Sequence, residues 1–124
     1  MAELLEQQYL ILSLQGETYA IPVSRVIEVL EYSKMTKMPS RAAYLKGLID
    51  LRGRGIPVLD LALRFGLHET EVAMDTATSV AEMAGDEGPL VVGLIADSVH
   101  EVIERSFAAI TAYVSRESRP VSTV

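Results

Sequence analysis

Asp50, Arg52 and Asp60 lie in a single stretch, "KGLIDLRGRGIPVLDLALRFGL", residues 46–67. Two carboxylates that face a common cleft with pKa values pushed apart can do general acid–base work. Ten residues and a turn separate Asp50 from Asp60, so a fold-back would let them meet. One reading is therefore a small enzyme or ligand-binding barrel using Asp50, Arg52 and Asp60. Against it, no Ser, Thr or His lies beside them in sequence to complete a nucleophilic set. The competing reading is architectural. Asp60 caps a short helix, Asp50 sits in a turn, and Arg52 anchors another protein.

His68 and His100 are the two histidines of the chain. Glu69, Glu71 and Asp75 could join them as metal ligands, but no H-x-x-x-H or H-E-x-x-H spacing exists, so no metal is expected. Gly47, Gly53 and Gly55 match neither phosphate-loop pattern, and no cofactor is expected. Arg41, Lys46, Arg52, Arg54 and Arg64 form a local basic set. It reads either as a solvated face or as a surface for an acidic or carbonyl-rich partner. In the second case Arg52 is a planar multi-donor anchor.

The whole chain bounds these choices. With 124 residues it is one domain, or two small subdomains sharing a core. A hydrophobic content of 49% and a mean hydropathy of +0.25 allow a real core and leave apolar surface for a partner. The net charge of −6 repels phosphate backbones, so even with five Tyr and two Phe (and no Trp) nucleic acid is not the expected ligand. There is no cysteine, which excludes disulfides and thiolate chemistry and fits a reducing compartment. "MAELLEQQ" carries acids where a secretory signal carries lysines, and apolar runs such as "PLVVGLIA" are too short to span a bilayer. Membrane insertion is not expected, and the chain reads as cytoplasmic.

The positioning elements are short and mostly extended. "YLILSL" and "TYAIPV" form a hairpin around Gly16, with Pro22 ending its strand or lying on an edge. "VIEVLEY" reads as a strand with Val26 and Glu28 on one face, Ile27 and Val29 on the other. "SRAAYLKG" predicts a short helix near 40–46, N-capped by Ser40 and stopped at Gly47. "LIDLRG" and "GIPVLDL" predict strands that bend at Gly53–Gly55, and Asp60 caps a second helix over 61–65 ended by Gly66. Residues 67–78 read as a polar loop. "SVAEM" alternates like an edge strand, "GDEGP" is a turn, "LVVGLIA" a buried strand, and "DSVHEVIE" its partner or continuation. "FAAITAYV" is a last apolar run before a loose tail over 115–124. Many short, evenly spaced strands point to barrels or a sandwich.

At this point the chain resembles the CheW family of chemotaxis coupling proteins. The family's K-G-hydrophobic-x-N/D-L-R-G segment, followed by hydrophobic-P-hydrophobic-hydrophobic-D-L, is matched by Lys46, Gly47, Asp50, Leu51, Arg52, Gly53, Ile56, Pro57, Val58, Leu59, Asp60 and Leu61. "YLILSLQGETYAIPVSRVIEVLE" is similar to the family's opening hairpin and its hydrophobic-x-E-hydrophobic element. "VVGLIADSVHEVIE" is similar to V-G-x-x-V-D-x-V-x-E-V, through Val92, Gly93, Asp97, Val99, Glu101 and Val102. Three motifs in the right order cover about residues 9–104.

The resemblance implies two small SH3-like β-barrels on a shared core and no catalysis. The first barrel would take about 20–66; the second about 79–114, to which strand 9–14 could contribute. It also implies partners: a chemoreceptor's cytoplasmic tip and the regulatory domain of a histidine kinase. A receptor-facing groove would involve Val26, Glu28, Gly47 and Arg52, and a kinase-facing surface the vicinity of Arg54 and Ile56. Gly53, Pro57, Asp60, Gly93 and Asp97 would be structural. Asp50 stands where the family commonly has Asn, and Ser98 where a Gly is often seen. The family's further strands have no counterpart after "FAAITAYV". The resemblance thus implies an incomplete second barrel whose open edge a second chain, such as an identical protomer, would complete.

Overall fold

The computed structural model describes residues 6–33, 35–37, 39, 42–106 and 109. The fold is mostly β. Its strands are β1 (Glu6–Leu14), β2 (Glu17–Pro22), β3 (Val26–Glu31), β4 (Leu45–Leu51), β5 (Arg54–Asp60), β6 (Ala77–Gly85), β7 (Gly88–Ala96) and β8 (Ser98–Ser106). A single helical turn, α1 (Leu61–Arg64), follows β5, and a 3-10 turn at Val23–Arg25 links β2 to β3. Two sheets result, ordered β2-β1-β8 and β3-β6-β7-β5-β4.

Local sequence explains the hairpins. The β1–β2 and β4–β5 turns are each two residues long, between the facing pairs Leu14–Glu17 and Leu51–Arg54. Gln15 and Gly16 have φ of 51° and 85°, Arg52 and Gly53 of 53° and 81°. Both central residues are thus left-handed, the geometry whose twist matches paired strands. Pro22 ends β2, which is an edge strand as expected. Pro57 precedes by one residue the point where β7 begins to pair with β5 (Val58 opposite Gly93), so one of its flanks has no ladder to interrupt.

Every sheet pairing is antiparallel except β5 with β7. A parallel pair needs a return connection: α1 and the 67–76 loop carry the chain over to β6 at the same end of the sheet, and antiparallel β6 brings it back to start β7. Hydrogen bonding consequently cuts across the two expected halves. β6 and β7 join β3, β4 and β5, while β8 pairs with β1 rather than with its neighbour β7. The larger sheet curls into a half-barrel, and Arg52 at the tip of β4–β5 reaches Glu28 on the opposite edge strand.

The core lies where the sheets meet. Leu12, Leu14, Tyr19 and Ile21 of the smaller sheet pack with Leu61 and Ala62 of α1 and with Ala81, Val92, Leu94 and Ala96 of the larger. Burying each Leu or Ile here contributes about 1.5–3 kcal/mol. Tyr9, Ile11 and Ala20 form a second cluster with Ile103 on the other face of the smaller sheet.

Two expectations are corrected. Ser40 and Arg41 fall outside the described residues, and Ala42–Tyr44 make a turn, with Leu45 N donating to Ala42 O at 3.1 Å, instead of continuing a helix to residue 46. The apolar run from Leu45 finds a strand partner in β5, and strand pairing overrides the local helix signal. The "SVAEM" segment is not an edge. β6 is interior, with Thr78, Ser79, Val80 and Ala81 all buried, because small hydroxyl residues fit both faces of a packed strand.

Gly93 shows how tight that centre is. A Cβ there would meet Thr78 Cγ2 at 2.9 Å and Val58 Cγ2 at 3.3 Å. Ser79 is fully buried, and its hydroxyl makes no hydrogen bond. Gly93→Val should therefore lower stability by roughly 1–3 kcal/mol through overpacking, whereas Ser79→Ala should leave it unchanged or raise it. Denaturant titration of both variants checks the opposite signs.

Tyr19 is 3% exposed, stacks on Phe65 at 5.2 Å between centroids, and donates its phenol proton to Glu17 at 2.8 Å. Its phenol is pushed up from 10.0 to about 12, chiefly by burial, then by the Glu17 hydrogen bond and charge. The folded chain holds this proton more tightly than the unfolded one. The stabilisation is thus complete below pH 10 and disappears as pH rises toward 12. Phenolate absorbance against pH should show a late-ionising component that disappears in Tyr19→Phe.

Candidate functional site

The hairpin tip of β4–β5 is the most constrained exposed point of the larger sheet. Asp50 Oδ1 accepts from Gly53 N at 2.9 Å, closing the turn from beneath. Arg52 holds a left-handed backbone that costs a non-glycine residue roughly 1 kcal/mol. Its side chain remains 71% exposed, with Nη1 2.8 Å from Glu28 Oε1. That oxygen is otherwise shielded and makes no directed hydrogen bond, so the contact is an ion pair. The pair is open to water on the arginine side only, which leaves the rest of the Arg52 guanidinium available to a visitor.

Beside it runs β3, an edge strand whose outer flank has no strand neighbour among the described residues. Val26 and Glu28 turn inward and are half-buried, while Ile27 and Val29 are 50% and 43% exposed. A shallow cavity of about 310 Å³ opens by the tip, lined by Thr36, Leu48, Ile49, Asp50, Gly53 and Gly55. An arginine, exposed β-branched residues and an unpaired strand edge suit a protein partner.

Two residues expected to face a partner lie inside. Ile56 is 3% exposed and pairs across the hairpin with Ile49. Gly47 is buried at a bulge in β4, where a Cβ would stand 2.4 Å from Thr36 O. The close approach it permits is by the chain's own backbone. Thr36 N donates to Leu48 O at 2.9 Å and Leu48 N to Thr36 O at 2.8 Å. Arg54 is exposed.

Asp50 and Asp60 do not share a cleft. They stand toward opposite ends of the hairpin, with Asp50 opposite Gly55 at the tip and Asp60 closing β5. Asp60 is 1% exposed and fully engaged. Oδ1 accepts from Ala62 N at 3.1 Å and Thr70 Oγ1 at 2.8 Å, and Oδ2 from Thr70 N at 2.8 Å. It is an N-cap, as the sequence implied, and also a clamp on the following loop. Gly66, at φ 81°, ends the helix, with Leu67 N donating back to Ala62 O at 2.8 Å.

Asp97 performs a similar task between sheets. Its carboxylate accepts from Gln15 N at 2.6 Å and its own N–H donates to Ser13 O at 3.0 Å. Gln15 in turn grips the His68 backbone, accepting from its N–H at 3.2 Å and donating to its carbonyl. Sequence reading gave Gln15 no role, because His68 lies far along the chain. These residues, with Glu69, Glu71, Val72 and Ala73, line a cavity of about 510 Å³.

The basic set is dispersed among separate partners. Lys46 pairs with Glu69, Arg64 lies over the Tyr44 ring at 5.5 Å, and Arg52 meets Glu28. Arg41 lies outside the described residues. His100 Nε2 contacts Ser13 Oγ at 2.6 Å and Ser98 Oγ at 3.2 Å, apart from His68. Among the described residues no three His, Asp or Glu side chains gather as metal ligands would, and no helix is long and apolar enough to cross a membrane.

These contacts define a class: a two-sheet β protein whose buried polar side chains brace turns and sheet junctions, with an apolar strand edge and an arginine at the surface. The family is shown by comparison. The CheW-like domain model matches residues 8–124, and the chain belongs to that family. It is 32% identical over 101 residues to the chemotaxis protein CheW of Klebsiella aerogenes, covering 82% of this chain and 58% of the relative. Identity to the Bacillus subtilis chemotaxis protein CheW is also 32%, over 97 residues, covering 78% of this chain and 60% of that protein. The crystal structure of the scaffolding protein TtCheW from Thermoanaerobacter tengcongensis superposes with a TM-score of 0.71 at 35% identity, over 80% of this chain and 65% of that one. The architecture is consistent with two SH3-like subdomains. The chain spans about three-fifths of the length of these two sequence relatives.

Gly47→Ala should break the Thr36–Leu48 bridge, since the new methyl collides with a backbone carbonyl rather than a movable side chain. Faster hydrogen exchange at the Thr36 and Leu48 amides, with β6 and β7 still protected, is the expected readout.

Proposed function

We propose that this chain is a non-enzymatic adaptor of bacterial chemosensory signalling, coupling chemoreceptors to a histidine kinase in the cytoplasm. One observation carries the proposal. Arg52 is held by a strained turn beside the exposed Ile27–Val29 edge, with the rest of its guanidinium open beyond its ion pair. Membership of the CheW-like family supports it. On this reading Arg52, Glu28 and Arg54 make polar contacts with a partner. Val26, Gly47 and Ile56 act from beneath by shaping the surface.

A second reading concerns the smaller sheet. β8 has a strand neighbour on one side only among the described residues, and Val102 on it is 51% exposed. This favours a self-associating variant in which a second chain extends that sheet, as a homodimer, alongside or instead of coupling.

The test of coupling is retention with the cell's own kinase and receptor cytoplasmic fragments, wild type beside Arg52→Glu. The variant should remain folded, with its melting midpoint lowered by several degrees, because a second carboxylate then faces the shielded Glu28 oxygen. It should lose retention tenfold or more. Equal retention of both proteins would remove Arg52 from the contact; retention of neither would sink the coupling role.

A further inference from the structure

β8 carries a pattern that complements itself. Its pairing with β1 slips at one point: Leu12 faces Val99 while the preceding Ile11 faces Glu101, so His100 bulges out of the ladder. The regular stretch therefore begins at Glu101. From there Glu101, Ile103 and Arg105 share the sheet face of Ile11, Tyr9 and Gln7, their partners on β1. Ile103 is half-buried against the Tyr9, Ile11 and Ala20 cluster, while Glu101 and Arg105 are exposed on either side of it.

The geometry points to a second copy of this chain as the strand that pairs with β8, antiparallel and centred on Ile103. A two-fold axis perpendicular to the sheet keeps faces matched only if it passes through a residue, because opposed residues must share a face. Centring on Ile103 sets Glu101 opposite Arg105 of the second copy, and Arg105 opposite its Glu101. Ile103 meets its own mate between the two charge pairs. Centring on Val102 instead sets Glu101 against Ile103, and centring on Glu104 sets Ile103 against Arg105. Neither of those registers forms an opposite-charge pair within β8, whereas the Ile103 register forms two, with Val102 set opposite Glu104 on the other face. Cross-strand opposite charges stabilise and mismatches do not, so one register is selected. Arg105 now folds back to donate from Nη1 to the Glu104 carbonyl at 2.7 Å, a local bond that pairing exchanges for the carboxylate of the second copy. The product is a continuous six-stranded sheet, β2-β1-β8 with its symmetry mate, whose two apolar clusters join through Ile103.

This inference rests on the smaller-sheet reading above and does not involve Arg52. Its test is sedimentation of the full chain across the micromolar range. Wild type should dimerise with rising concentration. Glu101→Arg and Arg105→Glu should each be monomeric, and the double variant, which restores both pairs with signs exchanged, should dimerise again. Because the chain has no cysteine, Ile103→Cys supplies a second measurement. It places one thiol beside its own mate and should oxidise to a covalent dimer far faster than Leu90→Cys, an exposed site on β7. A wild-type monomer throughout, a dimer indifferent to the single charge changes, or equal oxidation of both cysteine variants would overturn it. Arg52→Glu should leave self-association intact, and Glu101→Arg should leave kinase and receptor retention intact, so the two readings fail separately.

Discussion

The fold turns on one buried carboxylate. Asp60 is almost fully removed from water, and an ionised group in that position is tolerable only when donors surround it. Its donors come from two places at once: the first turn of α1 and residue Thr70 of the loop beyond. Satisfying the charge therefore obliges the chain to turn off β5, wind once, and fold its exit loop back. That path is what lets the chain return as β6 and then β7, with β7 parallel to β5. The clamp acts with the burial of Leu61 and Ala62 to hold a four-residue helix, too short to be stable alone, in the core.

The same economy governs the surface. Two tight turns hold a non-glycine residue in the left-handed conformation, Gln15 in one and Arg52 in the other. Each strained residue is tied to a distant element: Gln15 to the His68 backbone and Asp97, Arg52 to Glu28. In the first case the tie fastens the smaller sheet to the crossover loop. In the second it joins the hairpin tip to the far edge strand of a sheet already curled by its own twist. Arg52 combines strain, exposure and position in a way that its residue type alone does not convey.

Much of the site was legible in the residues. Glu28 and Arg52 were singled out from their motifs, and the fold brings them to 2.8 Å across the sheet. Asp60 as a helix cap and Gly53 as a turn residue follow from chemistry within a few positions. Gly47 and Ile56 show the limit. The family resemblance implied partner contact at or near both, and both are covered by other parts of the chain. Nothing local reports that Thr36 will lie on Gly47.

By itself the sequence determined the strand content, the turn positions, the absence of a thiol or a strongly basic face, and the motif order that places the chain among CheW-like domains. These are short-range properties, written in alternation, glycine placement and charge. Only the tertiary structure decided which strands pair: that β6 is interior, that β8 leaves β7 for β1, and that residues 45 and 46 extend a strand instead of ending a helix. Strand pairing joins residues far apart in sequence. Its energy comes from hydrogen bonds and burial shared between partners, and neither partner's local sequence contains it.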